Sequence, residues 1–123
     1  MESISPAGLR PMLDREFTFG RKLDQGNPTP GNIGSDFGRL GLFFWPRVNA
    51  DDERNPARQN SLEQLCKWRN AIAHQDIDPA RLAPSSLRLE TVRAWRRACN
   101  GLARSFDRVL HSHLTALLGS APW

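Results

Sequence analysis

Tyrosine is absent from this sequence, lysine occurs only at positions 22 and 67, and cysteine only at 66 and 99. No disulfide framework is expected of the two cysteines. Each falls on the apolar side of an expected helix, where a thiol behaves as a small hydrophobe. The opening Met1-Glu2-Ser3-Ile4-Ser5-Pro6 has no basic segment followed by an apolar one, so no secretory leader is expected and a reducing, cytoplasmic setting is. No apolar run approaches the roughly 18 residues of a membrane span, and no membrane partner is expected. Internal repeats, low-complexity tracts, a glycine-rich phosphate loop, paired catalytic carboxylates and a serine triad are all missing. With so little lysine, the cationic side of the chain is almost all arginine, and the net charge is +4. Arginine's planar fork of donors suits phosphate and carboxylate, which points to an anionic partner such as nucleic acid. Ordinary solvated surface arginines would give the same total. Hydrophobic residues make up 39% of 123 residues, enough for one modest core and a single domain over 1–123.

Turn residues and apolar spacing divide the chain into helices. Residues 1–30 are expected to be loosely ordered, with a helix led by Pro11 through Met12, Leu13 and Phe17 and weakened by Gly20. Asp24 to Gly31 reads as a loop. A short, glycine-interrupted helix is expected after Asn32, carrying Ile33, Phe37, Leu40, Leu42 and Phe43, and an isolated strand over 40–48 is the alternative for the most apolar cluster, Leu42-Phe43-Phe44-Trp45. Residues 46–60 read as a surface loop. The next helix runs to about His74, spanning 56–74 if Asn55-Pro56 opens it, or starting at Ser61 if the capping box Ser61-Leu62-Glu63-Gln64 does. Asp78-Pro79 lies beyond its end. A long amphipathic helix over 86–118 follows. Val92, Trp95, Cys99, Leu102, Phe106, Val109, His113 and Leu117 recur at steps of three and four, and Gly119 is its stop. The expected fold is therefore all-α, a small helical bundle in which the long C-terminal helix packs antiparallel to the 56–74 helix.

The stretch Trp68-Arg69-Asn70-Ala71-Ile72-Ala73-His74 is where chemistry concentrates. On a wheel of 100° per residue, Leu62, Leu65, Cys66, Ile72 and Ala73 form one apolar stripe, with Arg69 near its centre and Trp68 off it. Asn70 and His74 are four apart and neighbours on the flank. Arg69 and His74 diverge by about 140°, so they converge only if the chain bends or a second copy of the helix completes the site. Arginine stabilises charge that builds at a phosphate, and imidazole moves protons near neutral pH. In RNA the 2′-hydroxyl is a ready nucleophile, so such a set suits metal-independent cleavage to a 2′,3′-cyclic phosphate and a 5′-hydroxyl. Spacing alone is a weak signal, because Arg108 and His113 repeat it, and a structural arginine beside a capping histidine would look the same. His74, Asp76 and Asp78 alternate across a helix end with no companion cluster, so no metal is expected. His111 and His113 read as surface and seam residues. Among the tryptophans at 45, 68, 95 and 123, Trp95 reads as core.

Residues 65–74, Leu-Cys-Lys-Trp-Arg-Asn-Ala-Ile-Ala-His, resemble the signature of the HEPN superfamily: an arginine, a polar residue, a short helical spacer and a histidine closing a core helix. The Gly26-Asn27-Pro28-Thr29-Pro30 loop and the phenylalanine-rich segment up to Trp45 resemble the RiboL-PSP type of that domain. The likeness covers about residues 26–115 and is specific at 69–74. It implies an all-α homodimer whose motif helices face each other across a shared cleft, and many members are ribonucleases of toxin–antitoxin, abortive-infection or antiviral systems. Carried over, Arg69 and His74 are catalytic, Asn70 supports them, and Lys67, Trp68 and Gln75 are candidates for RNA or interface contact. No cofactor is implied. The implied partners are RNA, a second copy, and an antitoxin or defence protein. The other reading is a non-catalytic HEPN module that dimerises or binds RNA or a nucleotide. HEPN toxins neutralised by a nucleotidyltransferase tend to carry tyrosine two positions after the histidine. Asp76 stands there in this chain, so the resemblance does not extend to that subtype.

Overall fold

A computed structural model of the chain describes residues 21–24, 26–82 and 86–123. The described residues contain helices and no strand. The expected Pro11-led helix lies outside them. A 3-10 turn at Lys22–Asp24 precedes α1, Pro30–Gly38. Thr29 caps α1, its hydroxyl accepting from the Asn32 backbone N–H at 3.2 Å, and Pro30 opens the helix where a missing N–H costs nothing. α1 stops at Gly38, short of the Leu40, Leu42 and Phe43 it was expected to carry, because the chain turns at Gly41, whose φ of +75° suits glycine; α2 then spans Phe44–Asp51. Here the structure corrects the expected loop and the alternative strand. Pro46 lies in the first helical turn, where proline is tolerated, and Phe44 and Val48, four apart, point into the core.

α3 runs Asn55–Ala73 with Pro56 in its first turn, so the earlier of the two expected starts is correct and Ser61 lies inside the helix. A four-residue helix, α4, follows at Pro79–Leu82. α5 is a single helix of 30 residues, Leu89–Leu118, with Glu90 in its first turn. It stops at Gly119, which takes φ +73° and donates its N–H to the Thr115 carbonyl at 2.9 Å.

α3 and α5 pack antiparallel: Asn55 meets Ser105 near one end of the pair, and Trp68 shares a cluster with Trp95 near the other. The main core joins α1, α2, α3 and α5 through Ile33, Phe44, Val48, Leu62, Cys66 and Leu102. Phe44 stacks on Phe37 at 4.6 Å and meets Phe106 at 4.8 Å. A second cluster, Trp68, Ala71, Leu82 and Trp95, closes the far end. Burial pushes the Cys66 thiol above its usual range, which keeps it protonated and unreactive.

A polar network ties α2, α3 and α5 together. Asn55 is fully buried. Its amide donates to the Val48 carbonyl at 2.6 Å and the Ser105 hydroxyl at 2.8 Å, and its carbonyl accepts from Arg58 at 3.0 Å. Arg58 also donates to Asp52, and Arg108 to Asp51 and Ser105. Arg58 lies flat over Gly101: a Cβ at 101 would stand 2.3 Å from the guanidinium carbon. Asp36, equally buried, accepts the backbone N–H groups of Lys22 at 2.8 Å and Leu23 at 3.0 Å, which anchors the 3-10 turn to α1.

Two expectations follow. Gly101→Ala should destabilise the protein by about 1–3 kcal/mol through overpacking. In an Arg58→Ala background the same change should instead stabilise by about 1 kcal/mol, the helix preference of alanine over glycine. Urea melts of the four proteins measure this reversal. Acid should also unfold the protein. Burial alone would raise the Asp36 carboxyl, but the two N–H donors, with Arg39 and Arg21, outweigh it and hold it low. Arg108 does the same for Asp51, and Arg54 for Asp52. Carboxyls lowered on folding stabilise above the ordinary range near pH 3.9, and that stabilisation disappears as pH falls through the lowered values. Melts between pH 5 and pH 2 should show this loss, with a shallower slope in Asp36→Asn.

Candidate functional site at the end of the motif helix

α3 is brought to a stop by backbone geometry. Gln75 takes the left-handed conformation at φ 53°. Its N–H donates to the Ile72 carbonyl at 3.2 Å and that of Asp76 to the Ala71 carbonyl at 3.0 Å, the two bonds of a Schellman stop. His74 is the C-cap residue. The chain then turns back. Asp78 caps α4, its carboxylate accepting from the Ala80 N–H at 3.0 Å, with Pro79 in the first helical position. Leu82 is buried against Trp68, Ala71 and Trp95 and holds α4 beside the end of α3.

An open cleft of about 450 Å³ results, with Ala71 and Leu82 among its lining and Lys67, Asn70, His74, Asp76, Asp78 and Arg81 as its polar groups. Asn70 is tied down from outside the helix pair: its side-chain carbonyl accepts from the Asn27 amide. Asn27 is itself held, because its backbone carbonyl accepts from Asn32 at 2.9 Å and from the Thr29 N–H at 2.8 Å. The Gly26–Pro30 loop thus reaches the motif, and Asn70 keeps its own amide hydrogens for the cleft. Arg81 bridges Asp76 and Asp78 on the rim.

Arg69 does not share this cleft. It borders a second, apolar groove of about 410 Å³ with Leu65, Ile72, Leu87, Val92 and Trp95. The separation agrees with the angular offset on the wheel. The wheel was wrong about the buried stripe, however. Arg69 and Ala73 are exposed and Ile72 is 52% exposed, while Trp68, expected off the stripe, is 9% exposed. The reason is α4. Leu82 covers the Trp68–Ala71 side, so the buried face of α3 shifts at its last turns. Of the expected contact residues, Lys67 and Gln75 are exposed and Trp68 is part of the core.

The competing Arg108 and His113 pair has separate structural contacts. Arg108 pairs with Asp51 at 2.7 Å, and His113 lies 3.4 Å from Arg47. His111 meets the Trp123 ring edge-on. The Trp45 indole donates to the Pro30 carbonyl at 2.6 Å. Among the described residues no three His, Cys, Asp or Glu side chains are grouped to hold a metal ion. Arg81 and Leu82 carry no signal of their own in the sequence, and Asn27 is marked there only through the likeness of its loop. Asp78-Pro79, a capping residue followed by an N1 proline, was the available signal for α4.

Compared with protein-family models, curated proteins and solved structures, the chain finds no match in any of the three.

Gln75 carries a side chain where glycine is preferred, and the left-handed region costs an L-residue roughly 1–2 kcal/mol. Gln75→Gly should therefore raise stability by about 1 kcal/mol after glycine's own entropy is counted. A urea midpoint shift at unchanged slope is the measurement.

Proposed function

We propose that the chain is a metal-independent endoribonuclease of the HEPN type, acting on RNA as a homodimer. The observation that carries this reading is the open cleft at the end of α3, which collects His74, Asn70, Lys67 and Arg81. The imidazole takes the proton of a ribose 2′-hydroxyl. The 2′ oxygen attacks phosphorus, the bond to the 5′ oxygen breaks, and that oxygen leaves with a proton from an imidazolium. The products are a 2′,3′-cyclic phosphate and a 5′-hydroxyl. An arginine stabilises the charge on the phosphoryl oxygens as it builds.

Arg69 faces the neighbouring groove, so one chain offers the histidine and the arginine on different flanks. This supports a shared site, in which Arg69 and His74 of two copies line one cleft. Exposed Ile72, Leu87 and Val92 along the apolar groove supply surface that an association between copies would bury. The resemblance suggests a toxin or antiviral-defence setting, with an antitoxin or defence protein as regulator. No helix among the described residues is long and apolar enough to cross a membrane.

The test is cleavage of single-stranded RNA in EDTA. Wild type should cut and leave cyclic phosphate ends. His74→Ala and Arg69→Ala should each lose about 10²–10⁴-fold in rate with unchanged melting, since both side chains are exposed. A folded dimer that binds RNA without cutting it would instead support the non-catalytic HEPN module.

A further inference from the structure

The cleft that holds His74 contains a guanidinium, and it is not Arg69. Arg81 stands on α4, and the local sequence is built to hold it there. Asp78 caps the helix, Pro79 opens it and buried Leu82 pins it. Its guanidinium pairs with Asp76 and, at 3.4 Å through Nε, with Asp78. The Arg81 and Asp76 side chains are largely in water and that of Asp78 is half-buried, and ion pairs so exposed stabilise little. Both carboxylates present the acceptor geometry that a phosphate also offers, and a guanidinium binds phosphate through two parallel donors. Lys67 shares the cleft and is in none of the described ion pairs. The cleft therefore holds one tethered cation and one open cation beside an imidazole.

We infer that Arg81 is an anion-binding residue of this cleft, taking an RNA phosphodiester by exchanging its ion pairs with Asp76 and Asp78. The choice of RNA rests on the proposed function; the exchange rests on the geometry of the rim. Asp76 and Asp78 orient Arg81 toward the cleft while it is empty. They also compete with the incoming phosphate, so the rim favours ligands that can accept two hydrogen bonds from one guanidinium.

The test uses a single-stranded 2′-O-methyl oligoribonucleotide, which has the phosphates but no nucleophile, so binding is read apart from cleavage. Fluorescence anisotropy is recorded over a range of salt for wild type, Arg81→Gln, Arg81→Lys and Asp76→Asn. Arg81→Gln should weaken binding at least tenfold and reduce the slope of log affinity against log salt by about 0.7, the value for one lost phosphate contact on a single strand. Arg81→Lys should restore the slope but not the full affinity, because the fork is lost. Asp76→Asn should tighten binding by removing a competing carboxylate. Unchanged affinity and slope in Arg81→Gln overturn the inference, as does a wild type that does not bind. Arg81-dependent binding by a protein that cuts no RNA leaves the inference standing and removes the ribonuclease reading. Cleavage that persists with binding independent of Arg81 does the reverse.

Discussion

The arrangement of this bundle depends on one buried amide. Asn55 has no access to water, so each of its polar atoms must find a partner inside the protein. It finds the Val48 carbonyl on α2, the Ser105 hydroxyl on α5 and the Arg58 guanidinium on its own helix. Sliding α5 by one turn along α3 would take the Ser105 hydroxyl from the Asn55 amide and leave a buried donor unpaired, a cost of about 1–3 kcal/mol. The same slide would also move Gly101 from beneath Arg58, where a Cβ would collide with the guanidinium. Apolar packing alone tolerates alternative registers; this polar network selects one.

That register determines what happens at the other end of α3. With Asn55 on Ser105, the antiparallel pair brings Trp68 and Ala71 to Trp95, and Leu82 of α4 completes the cluster. α4 is thereby held beside the last turn of α3, and the cleft lies between them. On the other flank the start of α5 runs past α3 and leaves the apolar groove bordered by Arg69. The two depressions are consequences of one helix ending between two neighbours. The helix end itself is set by Gln75 in the left-handed region.

The sequence carried the long helices well and the small ones poorly. α5 was legible because its apolar positions repeat over many turns and Gly119 marks its stop. α3 was legible from Asn55-Pro56, although the capping box at Ser61 offered a competing start. α2 was read as loop because its eight residues contain a proline and hold only two buried side chains, Phe44 and Val48. That periodicity is too short to see. α4 has four residues and no periodicity at all. Missing it shifted the expected buried face of α3, which placed Arg69 inside and Trp68 outside. The neighbourhood of His74 and Asn70 could be anticipated from local sequence. The place of Arg81 in the cleft and the bond from Asn27 to Asn70 could not, because they come from a chain reversal and from a loop 43 residues away along the chain.

The antiparallel pairing of α3 with α5 also gives its two end contacts different loop-closure costs. Joining Trp68 to Trp95 closes a loop about half as long as the 50-residue separation between Asn55 and Ser105. Each doubling of loop length adds about 0.6 kcal/mol of closure entropy. The apolar cluster beside the cleft is thus the less costly contact to close, and the polar contact that selects the register carries the larger closure entropy.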